Sequence, residues 1–214
     1  QQLVIAQLDT KEEDKTGIGR EYERYIGYCY EKDGYKVQYR GIIDGFEDLG
    51  RDLICINSDH VVIVQCKCWS SDKVIREKHI NQLYGTGVMY AVENGLNGGQ
   101  EGLFDPKHGK VRIRLITSTE LSPIARKFAD YLGVEYEENH KHGDYPVVKC
   151  NINRQTNERI YHLPFDQLYD RVDVEKERGE FFAWTVKEAE DAGFRRGMDG
   201  MGKRTELPKV GHRT

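Results

Sequence analysis

The chain has 214 residues, 38% of them apolar and 32% charged, with a mean hydropathy of -0.72. No run approaches the roughly 20 apolar residues a bilayer helix needs, and the opening Gln1-Gln2-Leu3-Val4-Ile5 lacks the basic flank and long apolar run of a signal peptide; a membrane protein is excluded and a cytoplasmic location expected. Thirteen Tyr, seven Phe and two Trp can fill a core, which argues against disorder, while a formal charge of -4 argues against a protein that coats nucleic acid.

Five cysteines, Cys29, Cys55, Cys66, Cys68 and Cys150, show no repeated CxxC spacing. Two of them alternate in a run of valines, so buried thiols in a reducing compartment are a better reading than a disulfide framework.

In chain order, residues 1–16 are polar and read as an N-terminal tail. Ile18, Tyr22, Tyr25, Ile26 and Cys29 then recur at helical spacing, and Asp33-Gly34 ends that helix. A strand is expected over Lys36–Arg40. Leu53–Ile56 and Val61–Cys68 are β-rich and flank the turn Asn57-Ser58-Asp59-His60. Both are apolar on both faces, which predicts a hairpin inside a sheet covered on two sides. A helix fits 75–92, a polar and glycine-rich loop 94–110, and a strand Val111–Thr117. Ser122-Pro123 opens a helix that Gly133 closes, before a strand at 134–136. Residues 137–146 read as a linker. Short strands follow at 147–150, 159–163 and 181–183, then a helix with the capping box Thr185-Val186-Lys187-Glu188. The pattern is αβββαβαβ, an α/β core of residues 17–136, with a small α+β appendix over 147–195 and a flexible basic tail over 196–214.

The chemistry gathers at one end of the hairpin. If the four-residue turn pairs Ile56 with Val61, the antiparallel ladder sets Asp52 opposite Gln65, on one face and with Cβ atoms about 5 Å apart. Lys67, two residues on, shares that face. A slip of one residue would substitute Cys66 for Gln65. A carboxylate and a neutral oxygen suit a hard cation such as Mg²⁺, and a nearby ammonium suits the charge on a phosphate. The alternative is a buried Asp52–Lys67 ion pair, because polar groups that end a Val-Val-Ile-Val run must be paired or used.

Several segments together resemble the Mrr-like branch of the restriction-endonuclease-like, PD-(D/E)xK nucleases. These are Gly19-Arg20-Glu21-Tyr22-Glu23, Gly34-Tyr35-Lys36-Val37, Asp48-Leu49-Gly50-Arg51-Asp52-Leu53, Val64-Gln65-Cys66-Lys67-Cys68-Trp69, Gln82-Leu83, and Ile116-Thr117-Ser118 through Ala129. The resemblance spans about residues 17–136. It implies a core of order αβββαβ with a mixed central sheet flanked by helices. It further implies Asp52 as metal ligand with Gln65 and the Cys66 carbonyl, Lys67 as catalytic lysine, and Mg²⁺, with Mn²⁺ as a substitute. Gln65 stands where most of the superfamily has an acid, a replacement common in this branch. Glu21 matches the helical acid that completes the site, with Glu23 the weaker candidate. Asp48 matches a recurrent loop acid and also reads as a turn cap.

Tyr161-His162-Leu163-Pro164 and Phe181–Arg195 faintly resemble the small domain of Ada-type and nuclease-associated modules. The zinc-binding cysteines of that domain are absent here, where Arg196 and Gly197 stand instead, so no zinc is expected. His140, His142, His162 and Cys150 have no closed-site spacing. Residues 193–214 hold six basic side chains against two acidic, and Arg195, Arg196, Lys203 and Arg204 are candidate phosphate contacts.

These readings point to a Mg²⁺-dependent DNA endonuclease whose C-terminal module selects the substrate. It would nick as a monomer, or cut both strands as a homodimer of the kind the family uses. A catalytically silent nucleic-acid-binding or assembly module on the same fold, and an RNA-cleaving nuclease, are the alternatives.

Overall fold

The structure, a computed structural model, describes residues 13–44, 50–96, 105–106 and 109–197. Asp48, Lys203 and Arg204 lie outside the described residues. The chain divides into two compact units, Gln1–Tyr145 and Pro146–Thr214.

In the first unit the elements run α1 (Glu13–Lys32), β1 (Lys36–Tyr39), α2 (Arg40–Asp44), β2 (Leu53–Ile56), β3 (Val61–Lys67), β4 (Val74–Ile75), α3 (Glu77–Glu93), β5 (Val111–Thr117), β6 (Glu120–Leu121), α4 (Pro123–Leu132) and β7 (Glu135–Glu137). Five strands form one mixed sheet of order β1-β2-β3-β5-β7. The first three are an antiparallel meander. β5 and β7 join it in parallel, and each is reached through a helical crossover, as parallel pairing requires.

Both faces of the sheet are covered, which explains hairpin strands that are apolar throughout. Ile54, Ile63, Ile113 and Leu115 pack under Ile80 and Leu83 of α3 and Ala125 and Ala129 of α4. Leu53, Val62, Val64 and Cys66 pack on the other face under Tyr22 and Ile26 of α1. Ile18, expected on that buried stripe, is 51% exposed, because it lies one turn before the helix meets the sheet. α1 approaches β1 closely only because residue 27 is glycine: a Cβ there would lie 2.4 Å from the Tyr39 ring. α4 has the caps its sequence announces. Ser122 Oγ accepts the Ala125 N–H at 3.1 Å, and Gly133 closes the helix at φ +70°, a conformation that suits glycine.

The second unit holds a four-stranded sheet of order β10-β8-β9-β11, made of β8 (Val148–Ile152), β9 (Arg159–His162), β10 (Phe181–Ala183) and β11 (Arg195–Arg196). The helix α5 (Val186–Asp191) packs Ala189 against Val148, Cys150, Tyr161 and Ala183. Thr185 caps α5 by accepting the Glu188 N–H, and the Glu188 carboxylate accepts the Trp184 N–H in return. Lys149 is only 1% exposed. Its ammonium donates to the Val172 carbonyl at 3.1 Å and lies 4.9 Å from the centre of the Tyr169 ring, a cation–π contact.

Candidate active site

The site lies at the end of the hairpin opposite its turn. The ladder pairs Ile56 with Val61 and Leu53 with Val64, so Asp52, one residue before β2, stands in line with Gln65. Asp52 is 6% exposed and Gln65 1%. Asp52 Oδ2 accepts the Cys66 N–H at 2.6 Å. In an extended strand the N–H and C=O of one residue leave the same edge; the Cys66 carbonyl therefore looks toward the open end of β2, beside Asp52. Gln65 Nε2 donates to the Gly50 carbonyl at 3.3 Å, and its Oε1 is buried with no hydrogen-bond partner among the described residues. Gly50, at φ +78°, brings the chain close here: a Cβ would fall 3.0 Å from Gln65 Nε2 and 3.5 Å from Gln82 Nε2. Lys67 follows on the face of Gln65, and its carbonyl accepts the Ser118 N–H at 3.0 Å.

The helical acid is the residue on which structure and sequence part. Glu21 is turned away: its carboxylate pairs with Arg24 at 2.6 Å and accepts the Tyr145 hydroxyl at 3.2 Å. Glu23 faces Asp52 instead. Glu23 Oε2 and Asp52 Oδ1 both lie within 3.3 Å of the point a Cβ would occupy at Gly41. The buried Cys66 thiol senses the same pair. Burial pushes its pKa well up, and the charges of Asp52 and then Glu23 add to the rise.

The C-terminal arginines are engaged within the second unit. Arg195 pairs with Glu158 at 2.7 Å and Arg196 with Asp166 at 2.8 Å. Both sit in β11, parallel to β9, so Arg196 belongs to a sheet and not to a tail. His140 bonds Glu137 at 2.6 Å and His142 stacks on Tyr25 within the first unit, and Cys150 lies in the core of the second. Among the described residues no three His, Cys, Asp or Glu side chains form a metal-binding group. The oxygen set at the hairpin end, a carboxylate, an amide and a main-chain carbonyl, is of another kind, suited to a hard divalent cation. Gln82, which meets Gln65 at Gly50, carries no signal of its own beyond the resemblance.

A mixed sheet between helices with a carboxylate, an amide and a lysine at one strand end defines a restriction-endonuclease-like α/β domain. Residues 16–97 match the Mrr_cat family model, described as restriction endonuclease, and the matched segment holds Glu23, Asp52, Gln65 and Lys67. No curated protein matches the chain significantly. Two solved structures resemble parts of it. EndoMS in its apo form is 16% identical over 44% of this chain and 32% of that one, with a TM-score of 0.30. A repair endonuclease from Pyrococcus abyssi is 15% identical over 65% of this chain and 51% of that one, with a TM-score of 0.36. Among the described residues no helix is long and apolar enough to cross a membrane.

Proposed function

We propose that the chain hydrolyses phosphodiester bonds in DNA with a divalent cation, Mg²⁺, held by Asp52, Gln65 and the Cys66 carbonyl. The observation that carries the reading is Gln65 Oε1, in line with Asp52 and buried with no partner among the described residues. An acceptor buried without a donor costs about 1–3 kcal/mol, a cost that a bound cation removes. When bound, such an ion lowers the pKa of a water and neutralises phosphate charge.

The protein's own groups do the rest. The Cys66 N–H fixes the Asp52 carboxylate, and the Gly50 carbonyl fixes the Gln65 amide by holding its nitrogen. Lys67 places an ammonium where a phosphate oxygen gains negative charge during attack. Glu23 takes the role the sequence assigned to Glu21, orienting water at Asp52. The second unit selects the substrate, and a single set of these residues per chain favours nicking by a monomer.

Supercoiled plasmid with Mg²⁺ tests this. Lys67→Ala and Asp52→Asn are expected to abolish nicking while keeping the wild-type circular dichroism spectrum. Undiminished cleavage by both would overturn the mechanism.

A further inference from the structure

Beyond Lys67 the structure places cations that form no ion pair among the described residues. Trp69 lies two residues past Lys67, beyond the end of β3, and packs edge-on against His79 of α3, with ring centres 5.1 Å apart. Lys73 Nζ lies 5.9 Å from the Trp69 ring. Lys78 is adjacent to His79, and Arg76 stands exposed just before α3. Among the described residues none of Lys67, Lys73, Arg76 and Lys78 forms an ion pair. The neighbouring acid Asp72 takes a hydrogen bond from Ser70 and feels the charge of Lys73, but among the described residues neither it nor Glu77 forms an ion pair with these cations.

The segment is held in place. Ser118 Oγ accepts the Trp69 N–H and donates to the Trp69 carbonyl, both at 2.8 Å. The Thr119 hydroxyl donates to the Lys73 carbonyl, and β4 pairs with β6 immediately after it. The His79 imidazole reports the field: burial lowers its pKa first, and the positive charges of Lys67 and Lys78 lower it further. A chain of net charge -4 thus keeps a positive patch at its nuclease site.

We propose that Lys73, beside Trp69, and Lys78, which with Lys67 acts on His79, bind phosphates of the substrate strand next to the one that is cut. The inference rests on the nuclease reading and names the surface on which the polynucleotide lies. It also moves that surface away from Arg195 and Arg196, whose charges are already paired.

The test is fluorescence-polarisation titration of a labelled DNA duplex with the metal chelated, from about 50 to about 200 mM salt. Removing one lysine that neutralises a phosphate should make the slope of log affinity against log salt shallower by about 0.9. Lys73→Ala/Lys78→Ala is expected to bind about tenfold more weakly at the upper salt, with a slope shallower by about two. A wild-type slope in this double variant, or a shallower slope in Arg195→Ala/Arg196→Ala instead, overturns the inference. If wild type cleaves DNA and the lysine variant keeps the full slope, only the inference falls. If wild type neither binds nor cleaves DNA, the nuclease reading falls with it.

Discussion

The carboxylate of Asp52 accepts the backbone N–H of Cys66 at 2.6 Å, so the residue just before β2 is locked to the residue that precedes Lys67. One side chain thereby joins a structural task to a chemical one. The two separate by substitution. Asp52→Asn keeps an oxygen for the Cys66 N–H and loses the charge; its stability should stay within about 1 kcal/mol of wild type while cleavage drops by on the order of 100-fold or more. Asp52→Ala leaves a buried N–H unpaired and should cost about 1–3 kcal/mol in urea unfolding as well. Equal stability of the two variants would refute the structural half of this account.

Glu23 and Glu21 make opposite predictions although they are two residues apart. Glu23→Gln removes a charge beside Asp52 and should lower plasmid cleavage about 10–100-fold. Glu21→Gln disturbs a partly buried pair with Arg24 and a hydroxyl contact away from Asp52, and should leave cleavage within about twofold. A reversed order in a side-by-side assay would return the role to Glu21.

Two glycines of α1 should respond in opposite directions. Gly27→Ala forces a methyl into the Tyr39 ring, and overpacking of this kind costs about 1–3 kcal/mol. Gly19→Ala meets nothing within 4 Å and should be neutral or stabilising by up to about 1 kcal/mol, because alanine is the better helix former. Thermal melts of the two variants measure both effects.

His60 gives stability a pH dependence of known sign. Its Nε2 bonds the Tyr35 hydroxyl at 3.1 Å, and its Nδ1 is buried with no partner among the described residues. Burial lowers its pKa below 6.5, and the nearby Arg112 lowers it further. The unfolded chain therefore takes up a proton first as pH falls. Stability is complete above 6.5 and declines as pH drops through 6.5 toward the folded-state value. His60→Gln should flatten this decline in pH-dependent melts. His79, whose pKa is lowered as well, should keep part of it.

The hairpin and its register were legible because a four-residue turn and a period of two leave little freedom. The same arithmetic set Asp52 in line with Gln65. The identity of the helical acid was not legible. Glu21 and Glu23 flank the same buried Tyr22, and which one faces the sheet depends on how α1 is rotated about its axis. That rotation is set by the contact of Gly27 with Tyr39, a tertiary fact. α2, β4, β6 and β11 have two to five residues each, too few for any period to register. The fate of Arg195 and Arg196 was hidden for a related reason: their partners Glu158 and Asp166 lie some thirty residues upstream, so a local count of charge saw only the cations.

Ser118 holds both the N–H and the carbonyl of Trp69 through one hydroxyl, and its own N–H holds Lys67. The strand that carries the lysine is thus finished only by residues made some fifty positions later. During synthesis, β2 and β3 can pair as soon as they emerge, yet the end of β3 stays unanchored until β5 and Ser118 have followed. A nascent chain stopped inside α3 would contain Asp52, Gln65 and Lys67 without the clamp that sets the last of them. The order of the chain itself delays assembly of the site until most of the first unit exists.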